Sequence, residues 1–191
     1  DYTFYGEYAH RRRSLRRGQT FWPCYRKDPS HPTDGRAAIV FGGMYNWERL
    51  ISLDSFYRRN NELLRLIRTK HEGERLLYLA HPARPEEGDS EVDRLDLDGF
   101  EIIRGISSEA IVSQDRSITT AYSVFSTALF TTACLGVRTH FLYSLFDDES
   151  IPEQLKDRLD RRWAPQLHPD MRLTSEERWM SGEADYTLDP S

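Results

Sequence analysis

The sequence is short of several things, and each shortage removes a class of protein. Cysteine is scarce: Cys24 and Cys134 are the two in 191 residues, far apart and without a Cys-x-x-Cys spacing. That excludes a disulfide framework, gives no support to a zinc site and reads as reduced, cytosolic thiols. Long apolar runs are missing. The longest, from Ala128 to Val137, is broken by Thr131, Thr132 and Gly136, far from the run of about eighteen residues that marks a membrane-spanning helix. A basic excess is missing too. Lys and Arg number 26 against 31 Asp and Glu, a net charge of −5, so a general nucleic-acid-binding surface is not expected. Neither G-x-G-x-x-G nor G-x-x-x-x-G-K-[ST] occurs, which removes the dinucleotide fingerprint and the P-loop. The start, Asp1-Tyr2-Thr3-Phe4, is neither a signal peptide nor an initiator Met and reads as a processed or truncated piece.

What is present is enough for a packed core. Apolar residues make up 38% and aromatics 12% of the chain, too much for a disordered one. The length suits roughly one ordinary domain, or two very small ones at most. Residues 1–36 stand apart, with a basic cluster at Arg11-Arg12-Arg13 and Arg16-Arg17, then Phe21-Trp22-Pro23 and prolines through Pro32. This segment reads as an irregular arm or the remnant of an upstream region. Its arginines fit a solvated face, a partner contact or an anionic surface.

From Ala37 the pattern changes. Ala37–Phe41 is a short apolar run stopped by Gly42-Gly43, which suits a strand buried on both faces. Leu53, Phe56, Tyr57, Leu63, Leu64 and Ile67 recur at helical spacing behind Ser52, a helix-capping residue. Leu76–Ala80 is a second strand, ended by His81-Pro82, and residues 85–93 form a polar, acidic loop expected to be exposed. A third strand, Phe100–Ile103, precedes a short helix opened by Ser107-Ser108-Glu109. A fourth covers Ile118–Tyr122, and a helix from Thr127 to Leu135 is closed by Gly136. A fifth strand spans Thr139–Tyr143, and residues 147–191 are expected to be a helical, polar tail carrying Trp163 and Trp179. Strands alternating with helices predict an α/β fold, a parallel sheet with helices on both faces. Such sheets bind ligands at the carboxyl ends of their strands, so the loops there hold the candidate chemistry.

His-Pro occurs at His31-Pro32, His81-Pro82 and His168-Pro169, and only the second follows a central strand. Pro82 would stiffen that turn, and the His81 imidazole could donate a proton or meet a phosphate as a cation. A structural histidine in a strand-end turn is the plainer alternative. Ser123, Ser126 and Thr127 lie between a strand and a helix start, where hydroxyls and free N–H groups suit a phosphate, or serve as a helix cap alone. Glu109 could accept hydrogen bonds from ribose hydroxyls, or be an acid favoured by the helix dipole. Gly42-Gly43 would allow close approach of a ligand to the backbone.

In their order, these motifs resemble the nucleotide-sugar-binding half of the bacterial sialyltransferases and polysialyltransferases. The residues that carry the resemblance are Leu76-Leu77-Tyr78-Leu79-Ala80-His81-Pro82, Ser107-Ser108-Glu109 and Tyr122–Leu129, within residues 37–146. The resemblance implies a Rossmann-like domain, the C-terminal half of a two-domain GT-B glycosyltransferase. It would take a CMP-activated sialic acid or related acidic sugar as co-substrate, with a glycan acceptor, inversion of the anomeric centre and neither metal nor other cofactor. His81 would contact the CMP phosphate and act as general acid. Ser126 and Thr127 would hold that phosphate, with Gly42, Gly43, Pro82, Ser108 and Ser123 completing the donor site, and Glu109 would hold the ribose. The family's acidic Asp/Glu-Asp/Glu-Gly motif precedes its His-Pro. Here Glu86-Glu87-Gly88 follows it and is read as coincidence, and Glu48 or Asp54, just after the Gly42-Gly43 turn, could supply a catalytic carboxylate near the site. The implied setting is the cytoplasm, at the inner face of a membrane, and the acceptor-binding half reads as missing or reduced to residues 1–36. A CMP-Kdo or UDP-sugar transferase shares the plan. A non-catalytic interaction module working through the basic arm and the tail is the reading of a different class. A homodimer through the arm or tail is compatible with each.

Overall fold

A computed structural model describes residues 35–43, 52–81, 91–163 and 171–182. The strands are β1 (Ala37–Phe41), β2 (Arg75–Leu79), β3 (Phe100–Ile103), β4 (Ile118–Ser123) and β5 (Arg138–Phe141). The helices are α1 (Leu53–Lys70), α2 (Glu91–Arg94), α3 (Ser108–Gln114), α4 (Ala128–Cys134), α5 (Glu153–Trp163) and α6 (Glu176–Ser181). The sheet order is β3-β2-β1-β4-β5, and every pair is parallel. This is a Rossmann-like α/β fold. The chain leaves β1 toward β2 and β3, then crosses back to β4 and β5, so the direction of progress reverses between β1 and β4. That reversal opens a crevice at the carboxyl ends of the two strands.

The local causes are visible in the sequence. All five residues of β1 are buried, as an apolar run in the middle of a doubly covered sheet requires. β3 is an edge strand, and Glu101 and Ile102 are exposed on it. The apolar positions Phe56, Leu63, Leu64 and Ile67 form the buried stripe of α1. Ser52 sits at the N-cap of α1 but its side chain makes no capping bond, whereas Ser107 Oγ accepts from the Ala110 N–H at 3.2 Å and caps α3. Gly136 follows α4 with a φ of 81°, the left-handed conformation that glycine adopts without strain.

Register explains what each face carries. Val40, Tyr78, Tyr122 and His140 are paired across neighbouring strands and share one face. Phe41, Leu79, Ser123 and Phe141 share the other. The first row faces α1: His71, just past the end of α1, bonds the Tyr122 hydroxyl at 2.9 Å. The second faces α4, whose Phe130 ring lies 5.2 Å from that of Phe141. Right-handed crossovers put α1 and α3–α4 on opposite faces in this way.

Three expectations need correction. The fifth strand ends at Phe141, and Tyr143–Leu145 is a 3-10 turn. The end of the acidic loop is not an exposed coil. Residues 91–94 form the single turn α2, and Glu91 is half-buried. The C-terminal region is not merely a polar tail. Trp179 is fully buried against Tyr122, and Met171, Leu173, Leu155 and Leu159 join the same core. The Leu173 N–H donates to the Phe141 carbonyl at 3.3 Å, which covers the β5 edge. Tails read as polar when one apolar residue per turn does the packing, as Trp179 does among Ser175, Glu176, Glu177 and Arg178.

Candidate functional site

A cleft of about 230 Å³ opens at the carboxyl ends of the strands. It is small beside the roughly 300–1,000 Å³ typical of sites for whole drug-sized ligands. Four loops meet there. Gly42 follows β1, Ala80 and His81 follow β2, Ile106 to Glu109 follow β3, and Ser126 to Ala128 follow β4, over a floor of Phe41 and Leu79. Residues far apart in the sequence therefore reach one place because each ends a parallel strand at the same sheet edge.

Of the residues expected at the site, the cleft brings together Gly42, His81, Ser108, Glu109, Ser126 and Thr127. Pro82, Glu48 and the Glu86-Glu87-Gly88 triplet lie outside the described residues. So do His31-Pro32, His168-Pro169 and the arginines at 11–17. Asp54 is not at the cleft: it is exposed on the first turn of α1 and pairs with Arg94 at 2.7 Å. Ser123 is not a ligand-facing hydroxyl. It is buried, donates to the Phe41 carbonyl at 2.9 Å and accepts from the Ser126 N–H at 3.2 Å. Its bonds tie the end of β4 to the end of β1 and shape the turn that presents Ser126. Thr127 is the N-cap residue of α4 with helical backbone angles and no side-chain capping bond. The Ala128 N–H instead donates to Ser126 Oγ at 3.2 Å, which leaves the Ser126 proton available to a ligand.

Glu109 is held from behind. Its Oε1 lies 3.0 Å from Thr131 Oγ1, and its Oε2 accepts from Ser108 Oγ at 3.1 Å. Thr131 comes from α4, so the packing of α3 on α4 fixes the carboxylate at the cleft wall. A carboxylate so oriented keeps lone pairs for a vicinal diol such as a ribose presents. Opposite stands His81. The residue is exposed, yet its ring is desolvated enough at the cleft wall to lower its pKa below the ordinary histidine value. The imidazole is thus biased to neutral, and an anion placed against it would raise its pKa again. Among the described lining residues there is no Lys or Arg, so an anion here would rest on His81, hydroxyls and backbone N–H groups. No group of three or more His, Cys, Asp or Glu stands together among the described residues in a way that could hold a metal ion.

Glu91 is the functional candidate that sequence reasoning missed. Its Oε1 accepts from the His81 N–H at 3.0 Å and its Oε2 from the Gly43 N–H at 3.2 Å. The Tyr78 hydroxyl borders the same space beside Gly42. Burial pushes the carboxyl pKa up, against the pull of the two N–H bonds. The role of Gly42 changes accordingly. A Cβ on Gly42 would lie 2.3 Å from Glu91 Oε1 and 2.8 Å from the Tyr78 hydroxyl, so the glycine makes room for a carboxylate of the chain itself. Gly43 likewise does not line the cleft but gives its N–H to Glu91. No local pattern marks Glu91, which sits 48 residues beyond Gly43. The doublet of glycines was the one hint that something comes close.

No protein-family model matches the chain, and no curated protein matches it. No helix among the described residues is long and apolar enough to cross a membrane.

Proposed function

We propose that this chain is the donor-binding domain of a glycosyltransferase that uses a CMP-activated acidic sugar, of the sialic acid class. The observation that supports this reading best is the meeting of His81, Ser108, Glu109, Ser126 and Thr127 around one cleft at the strand ends. Five residues singled out by motif order line the same cleft.

In this reading Glu109 accepts from the ribose hydroxyls, while Ser126, Thr127 and nearby N–H groups hold the phosphate. The bond between the anomeric carbon and the phosphate oxygen breaks with its electron pair leaving on the phosphate. His81, protonated once the phosphate is beside it, donates a hydrogen bond or its proton to that oxygen. Stabilising the departing charge with positioned donors is the step a protein can assist most. The acceptor hydroxyl attacks the opposite face of an oxocarbenium-like centre and loses its proton to a carboxylate, the role expected of Glu48.

The test is a calorimetric titration with CMP beside UMP, GMP and AMP. Selective CMP binding that weakens on His81→Ala, with the fold retained, is the expected outcome. Equal binding of UMP moves the reading to a UDP-sugar enzyme on the same plan. No binding of any nucleotide at millimolar concentration overturns the proposal and favours an interaction module.

A further inference from the structure

Backbone donors from two loops converge on the Glu91 carboxylate. The Gly43 N–H comes from the loop after β1 and the His81 N–H from the loop after β2, while the Tyr78 hydroxyl lies beside Gly42 at the sheet face below. Missing Cβ atoms at Gly42 leave the space that two oxygens fill. Two converging backbone donors make a seat for an oxyanion. Among the described residues no lysine or arginine pairs with Glu91. Burying a carboxylate is costly, and a neutral side chain would serve better as a permanent brace.

The seat and the cleft share a rim. Gly42 and His81 line the cleft on the α3–α4 side, and the same stretch of backbone holds the seat on the α1 side. The turn that carries Glu91 is anchored at its other end. Arg94 pairs with Asp54 at 2.7 Å, its guanidinium lies 4.4 Å from the centre of the Tyr57 ring, and its carbonyl accepts from Asn61 Nδ2 at 3.2 Å. The Glu91 side chain can therefore leave by rotation while α2 stays docked on α1.

We propose that the Gly43 N–H and the His81 N–H form an anion seat beside the cleft, which Glu91 fills in this structure and yields to an anionic group of the ligand. A ligand lying across the strand ends presents one group to the cleft and another to the seat. The chemistry required is that of a carboxylate or a phosphate, both of which a sugar nucleotide of an acidic sugar carries. Only this identification of the incoming group rests on the function proposed above; the seat itself rests on the donor geometry.

The experiment compares the wild-type chain with Glu91→Ala and Glu91→Gln, titrated with inorganic phosphate and separately with acetate, while backbone amide resonances are followed. Emptying the seat removes a built-in competitor, so Glu91→Ala should bind the fitting anion about tenfold more tightly than wild type. Glu91→Gln should show a smaller gain, because its amide still fills the space but meets donors with a donor. The Gly43 and His81 amides should shift with the bound anion. Whichever of phosphate and acetate gains more identifies the group the seat takes. Unchanged or weaker binding of both anions in a folded Glu91→Ala overturns the proposal, as does failure of both variants to fold, which would make Glu91 a brace. The two readings fail separately. A gain in anion affinity without any CMP binding overturns the donor-domain reading and leaves the seat standing. Selective CMP binding without that gain does the reverse.

Discussion

Two histidines, ten residues apart in the sequence, stand at opposite ends of β2 and behave differently. His71 is buried at the end of α1, with Nδ1 2.8 Å from Glu74 and Nε2 2.9 Å from the Tyr122 hydroxyl. Tyr122 in turn stacks on His140 and meets Trp179. His81 stands on the rim of the cleft with its N–H on Glu91. Burial lowers the pKa of both. The difference lies in what surrounds the ring. At His71 both nitrogens are committed to protein groups, so the site is a joint between α1, the sheet and α6. At His81 the residue is exposed and lines a cleft with hydroxyls and a carboxylate.

Mutations should separate the two regions sharply. The largest effect belongs to the packed one. Trp179→Ala removes a fully buried ring and should cost about 3–5 kcal/mol in denaturant unfolding. A loss below about 1 kcal/mol would show that α6 is not part of the core. His71→Ala comes next, at about 1–3 kcal/mol, because the Tyr122 hydroxyl loses its buried partner. It should also flatten the acid limb of the stability curve. A histidine with a depressed folded pKa contributes stability that is present above its unfolded pKa and lost as pH falls through the folded one. Wild type should thus weaken on acidification below about pH 6.5, and the variant should weaken less there.

The cleft should show the reverse pattern, with large effects on binding and small ones on stability. Glu109→Ala should weaken CMP roughly tenfold or more by removing the ribose acceptor, while Glu109→Gln recovers part of it. His81→Ala should leave stability within about 0.5 kcal/mol and still weaken CMP. The smallest effect is the pH dependence of wild-type binding. The His81 pKa is lowered by burial, and on the proposed mechanism the ring gains a proton when the phosphate binds. CMP affinity should therefore rise a few-fold between about pH 8 and pH 6, a trend absent in His81→Ala. A stability loss in His81→Ala as large as in His71→Ala would erase the distinction between the two regions.

The sequence made much of this legible, and the limits have physical causes. Strands such as Ala37–Phe41 announced themselves as apolar runs ended by turn residues, and the alternation with helices implied the parallel sheet. The loops that line the cleft followed from the rule that such sheets bind at their carboxyl edge. The roles inside those loops were harder. Ser123 and Ser126 look alike in sequence, yet the first ends β4 and spends its hydroxyl on the Phe41 carbonyl and the Ser126 N–H, while the second lies in the loop beyond, at the cleft. Glu91 was invisible because its partners are backbone groups from two distant loops, and no local spacing encodes such a contact. Trp179 was misplaced because its neighbours are polar, and a single large ring buries what a whole apolar stripe would elsewhere.

We propose the strand-end cleft as the working site and the His71–Tyr122–Trp179 cluster as packing. The most direct measurement is a map of backbone amide shifts on titration with CMP. The shifts should concentrate at Gly42, His81, Ser108, Glu109 and Ser126 to Ala128, with Glu74, Tyr122 and Trp179 still. Shifts centred on the buried cluster, spread evenly over the sheet, or absent throughout would contradict it.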